Sequence, residues 1–172
     1  MLFRQMCALI FINCASISNA LSSCDQLAAL EADPLSTAVA VKFVDLNAKH
    51  VIAKCTEAIR TSGNKVEEAR FTLQRARGYF RAGDEDAAID DLSTAYALGY
   101  PAASFGLATA HFLGEGMEKD DSRAEILFLE SYRDGVLWSA RGLALLYGDI
   151  DSDLYNPEKS ILWEKKFNEE NN

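Results

Sequence analysis

Three carboxylates at alternate positions, Asp149-x-Asp151-x-Asp153, open in the way an EF-hand calcium loop opens. That loop needs glycine at its sixth position and glutamate at its twelfth, and Leu154 and Ser160 stand there instead, so a solvated turn is expected. Gly114-Glu115-Gly116 has the glycine spacing of a phosphate cradle. No strand precedes it, no Lys-Ser or Lys-Thr follows it, and Glu115 would repel phosphate, which leaves a turn between helices. A carboxylate pair such as Asp90 with Asp120 could serve a small hydrolase, but nothing in its spacing requires one. His50 and His111 are the only histidines and form no ligand or acid–base pattern. The expectation is a chain with no catalytic residues, no metal and no cofactor. The alternative is a small secreted or envelope enzyme, or an effector, with an unrecognised carboxylate site.

Four cysteines divide into two groups. Cys7 and Cys14 fall inside an opening that reads as an export signal: Arg4, an apolar run from Met6 to Ala15, then small residues at Ser18 and Ala20. Gln5, Asn13 and Asn19 interrupt it too often for a membrane span, which needs about 20 apolar residues. No later segment is apolar enough to span a bilayer. Cleavage after Ala20 leaves Cys24 and Cys55, an even remainder that suggests one disulfide in an oxidising compartment. Two buried free thiols, or acylation of Cys24 in the lipobox-like Leu21-Ser22-Ser23-Cys24, are the competing uses. The expected location is periplasmic or secreted, with a lipid anchor on Cys24 as the lesser variant.

The elements that must position any site are helical. The chain has 172 residues, 49% hydrophobic, enough for one core. From Asp45 onward apolar residues recur at three- and four-residue steps, broken by Gly, Asp or Asn-Pro. Helices are expected at about 47–61, 65–82, 86–98, 101–113, 121–133, 137–147 and 157–168, with an extended connection over 32–45. The formal charge of −9 is spread through the chain, and such a surface repels nucleic acid and anionic lipid.

An offset of 36 residues aligns Gly99 with Gly135, Leu107 with Leu143, Ala108 with Ala144, His111 with Tyr147 and Asp120 with Asn156. Residues 103–135 carry Ala103, Leu107-Ala108, Gly114-Glu115-Gly116-Met117, Asp120, Arg123-Ala124, Leu127 and Gly135, which together resemble the Sel1-like repeat. The unit at 139–168 keeps Leu143, Ala144, Tyr147, Lys159-Ser160 and Trp163 but has lost the Gly-x-Gly. Ala76, Tyr79, Ala88, Leu92 and Ala95 give residues 69–99 the look of a plain tetratricopeptide unit. Cys24-x-x-Leu27-Ala28, Asp33-Pro34 and Ala53-x-Cys55 are similar to the cysteine-paired segment ahead of Sel1 repeats in some exported bacterial proteins. The resemblance implies an all-α, right-handed solenoid of antiparallel helix pairs, divided into a signal at 1–20, an N-terminal helical segment with the disulfide at 21–62, and repeats at 63–172. It also implies binding of a protein or peptide partner, with no nucleic acid and no transmembrane segment in the mature chain. His111, at the repeat's Tyr position, is expected to be core, and Leu107 and Trp163 to be buried between helices.

Within that frame one charge contrast stands out. Arg70, Arg77 and Arg81 share a helical stripe in an acidic protein, and the resemblance turns the stripe toward the concave groove. Arg77 and Arg81 repel at their four-residue spacing, so they require compensation. It comes either from carboxylates among residues 84–91 and solvent, or from a partner's carboxylate. Phe105, Thr109, Trp138 and Arg141 are the groove-facing positions of the later units, and aromatic and Arg anchors suit a peptide-binding surface.

Overall fold

A helix begins where a side chain satisfies its free amides, and this chain does so at a fixed interval. In the computed structural model, which describes residues 22–171, the caps Asp84, Asp120 and Asn156 stand 36 residues apart. Each accepts a hydrogen bond from the amide three residues on, from Ala87, Arg123 and Lys159 in turn. They open α4 (Glu85–Ala97), α6 (Asp121–Arg133) and α8 (Pro157–Glu170). The preceding helices are α3 (Lys65–Ala82), α5 (Pro101–Leu113) and α7 (Trp138–Gly148), after α1 (Ser23–Ala28) and α2 (Ala48–Thr61). The expected helix boundaries hold to within two residues. The sequence reading set out no separate α1, and the proposed export signal at 1–20 lies outside the described residues.

The 36-residue period extends to the backbone. Gly99 and Gly135 follow α4 and α6 with φ of 79° and 91°, a conformation that suits glycine. The amides of Tyr100 and Val136 donate back to the carbonyls of Ala95 and Ser131. The loops after α5 and α7 are closed by Asp120 N–H to His111 O at 2.9 Å and Asn156 N–H to Tyr147 O at 2.8 Å. The first unit meets the same period another way: α3 has 18 residues against 13 in α5, and a shorter loop after Gly83 absorbs the difference.

α3/α4, α5/α6 and α7/α8 are the helix pairs, and α4 packs on α5 as α6 packs on α7. The result is an all-helical, solenoid-like stack. Its core alternates small and large residues, with Ala76, Ala95, Ala103, Ala108 and Ala124 among Leu73, Leu92, Leu107, Phe128 and Leu143. Close approach recurs in register. A Cβ at Gly106 would meet the Leu92 side chain at 2.7 Å, and one at Gly142, 36 residues later, would meet the Phe128 ring at 2.5 Å. Leu107 is buried as expected, whereas Trp163 is only partly buried and stands edge-on to Tyr132 with ring centroids 5.1 Å apart.

A second apolar cluster joins α1, α2 and the start of α3 through Ala28, Leu46, Val51 and Phe71. Cys24 and Cys55 are bonded to each other inside it, the disulfide expected from their even number. In the chain-entropy account, closing this loop stabilises the fold by about 3 to 4 kcal/mol. Residues 29–47 form the irregular connection expected there, ending in a 3₁₀ turn at Phe43–Asp45.

Candidate functional site

The basic stripe lies on α3, and the chain itself occupies most of it. Arg70 donates from Nε and Nη2 to the two carboxylate oxygens of Asp25 at 2.9 and 3.2 Å, with Asp25 only 2% exposed. Gln74, also buried, donates its Nε2 to the same carboxylate at 3.0 Å, and its Oε1 lies 2.8 Å from Cys24 Sγ. Arg77 donates to the main-chain carbonyls of Ala28, Ala29 and Val41 at 2.7 to 2.8 Å. Burial lowers its guanidinium to about 10, which still leaves it charged at neutral pH, and the three carbonyls stabilise that charge in place of water. Tyr100, at the foot of α5, completes the fastening by donating to Asp33 Oδ2 at 2.7 Å.

For Arg70 and Arg77 this corrects the expected compensation by residues 84–91 and solvent. None of the carboxylates of residues 84–91 pairs with the stripe: Asp84 caps α4, Glu85 accepts from Gly116 N–H at 2.8 Å, and Asp91 holds Arg75 through two 2.7 Å bonds. Arg75 faces α4 and was not part of the predicted stripe. Arg81 is exposed and has no ion-pair or hydrogen-bond partner among the described residues. Asp25 and Asp33 were missed because their local signals read otherwise. Asp25 sits in the capping turn of Ser22, whose Oγ accepts its amide, and Asp33 precedes a proline in a turn.

Beside the fastened segment the groove between α3 and α5 opens into a cavity of about 370 Å³. Leu73 and Phe80 from α3, Leu92 from α4 and Phe105 from α5 supply apolar walls, and Leu30 and Phe43 close the N-terminal side. Arg77 and Thr109 line it too, so three predicted groove residues, Arg77, Phe105 and Thr109, come together. Glu85 and Glu115 lie at its exposed edge. Phe105 also packs on Phe128, with ring centroids 5.9 Å apart, and Thr109 donates to Phe105 O at 2.9 Å.

The other predicted groove residues fall elsewhere. Arg141 pairs with Glu164 and lines a second, shallower cavity of about 610 Å³ with Phe112, Leu145 and Ile161. Trp138 lines neither cavity and stands edge-on to Phe167, 5.3 Å between centroids, as inter-helix packing. Arg70 does not line the α3/α5 cavity.

The acidic residues that invited a calcium reading gather in a polar cleft. His111, Lys119, Asp120, Asp121, Asp151 and Asp153 line it. Lys119 reaches Asp149 at 3.3 Å and Asp121 at 3.6 Å, and Asp149 accepts the Asp151 amide in a turn. His111 is half-buried, which lowers its pKa, and its Nδ1 has no hydrogen-bond partner among the described residues. Among the described residues no group of three or more His, Cys, Asp or Glu is arranged to hold a metal ion. Asp120, committed to capping α6, lines this cleft without Asp90. Gly114 and Gly116, with φ of 72° and 70°, end α5 and seat the loop against Glu85 and Ile89 of the preceding unit. No helix among the described residues is long and apolar enough to cross a membrane.

No protein-family model matches the chain, and neither the curated proteins nor the solved structures contain a significant match.

Proposed function

We propose that this chain is an exported, non-enzymatic repeat protein of the tetratricopeptide and Sel1 kind, and that it recognises a segment of a partner protein in the α3/α5 groove. One observation carries the reading: a mostly apolar cavity, lined by side chains of successive helix pairs, remains open beside the N-terminal segment that Arg77 fastens. A cavity of about 370 Å³ is of the size that takes one or two side chains of a bound segment. Apolar anchors seated in such a pocket provide most of the free energy in peptide recognition. The fastened N-terminal segment gives the cavity a fixed wall, which lowers the ordering cost of binding.

The test is a photo-crosslinking amino acid at Thr109, with Ser93 on the exposed face of α4 as the control position. In cells that make the protein, a discrete adduct is expected at 109 and not at 93. No adduct at 109, or the same adducts at both positions, rejects the groove as the recognition site.

A further inference from the structure

We infer that the α3/α5 cavity takes an apolar peptide segment carrying a lysine or arginine beside its anchoring side chain, the opposite of the acidic ligand that the stripe on α3 suggests from sequence. The inference rests on the groove reading above and specifies the chemistry of the occupant.

Two of the three stripe arginines are already engaged, and the third, Arg81, does not line the cavity. Both carboxylate oxygens of Asp25 meet Arg70, and three N–H groups of Arg77 point at main-chain carbonyls of the N-terminal segment. An incoming carboxylate would meet a guanidinium with three of its five N–H groups already taken. The cavity's free charge is negative. Gly116 N–H fixes Glu85 at the edge, and Glu115, which precedes Gly116, is exposed and its carboxylate has no partner among the described residues. The chain as a whole carries −9, so its far field also favours a cationic partner.

Charge places the occupant in the groove. Its apolar side chain sits among Leu73, Phe80 and Phe105, and its basic group lies on the Glu85 and Glu115 side, away from Arg77. The surface also argues for a peptide over a small molecule. Phe43 in the cavity wall is itself 47% exposed, so the apolar lining reaches the surface, where a peptide can continue past the one side chain it buries.

The experiment pans a phage-displayed random dodecapeptide library on the full-length protein and measures synthetic versions of the selected peptides by fluorescence anisotropy at two salt concentrations. Three variants run alongside. Glu85→Gln with Glu115→Gln removes both charges while keeping an acceptor for Gly116 N–H. Thr109→Trp fills the cavity. Phe43→Ala trims its wall outside the repeat core, in case Thr109→Trp does not fold. Selected peptides are expected to pair a bulky apolar residue with Lys or Arg. They should bind the double glutamine variant about tenfold more weakly, weaken as salt rises, and lose binding to the cavity variants. Acidic or uncharged peptides, or equal affinity for the glutamine variant with loss only on the cavity variants, would overturn the charge assignment and leave the groove reading intact. No selected peptide, or full binding to both cavity variants, overturns both.

Discussion

Arg70 meets Asp25 across 45 residues of chain in a two-bond ion pair whose carboxylate is almost fully buried. Removing one member of such a pair strands the other charge. Asp25→Ala should therefore lower the unfolding free energy by about 3 to 5 kcal/mol, whereas Asp25→Leu combined with Arg70→Met should cost much less. Urea unfolding of the single and double variants measures this. Equal losses in both would mean that the carboxylate matters only for the shape it fills.

Arg77 has a different task, because its acceptors are the main-chain carbonyls of Ala28, Ala29 and Val41. Arg77→Met leaves the carbonyls of Ala28 and Val41 without their donor, while Ala29 O keeps the Val41 N–H, and should cost about 1.5 to 3 kcal/mol. The loss should be local. Hydrogen–deuterium exchange is expected to quicken over residues 29–46 while α5 to α8 keep their protection, and uniform quickening would show that Arg77 supports the whole stack instead.

Asp33 makes stability depend on pH. Burial raises its carboxyl above the ordinary value of 3.8, and the hydrogen bonds from Tyr100 and Leu35 offset this only in part. The folded state therefore holds the proton more tightly than the unfolded state. That stabilisation is complete below about pH 3.9 and is lost as pH rises through the raised folded value. Asp33→Asn, which cannot ionise, should gain on the native protein between about pH 3.5 and about pH 7 in paired urea titrations. A constant difference across that range would remove Asp33 from the account.

Gly142 tests the repeat register. Alanine is the better helix former by about 1 kcal/mol, so propensity alone predicts that Gly142→Ala stabilises α7. The Phe128 ring stands 2.5 Å from where the new methyl would go, and overpacking of that kind costs about 1 to 3 kcal/mol. The expected sum is a net loss, read as a lower thermal midpoint. A higher midpoint would mean that α6 and α7 can move apart freely.

The features legible in the sequence were those whose interactions close within a few residues or recur. Asp84, Asp120 and Asn156 each cap an amide three positions away, and apolar spacing sets the helical face, so helix limits and the 36-residue period could be read directly. Cys24 and Cys55 could be paired by count, because only two cysteines follow the expected cleavage point. The direction of the Arg70, Arg77 and Arg81 stripe followed from helix geometry in the same way. What the stripe meets did not. Asp25 reaches Arg70 only because the irregular segment 29–47 runs back along α3, and a segment without periodicity does not announce its path. Arg77 is held by carbonyls that every residue possesses, so no side chain in the sequence marks them as its partners. Tertiary structure alone decided that Arg70 and Arg77 are engaged by the chain itself and that Glu85 and Glu115 are left at the edge of the open cavity, because long-range hydrogen bonds depend on chain path and not on residue spacing.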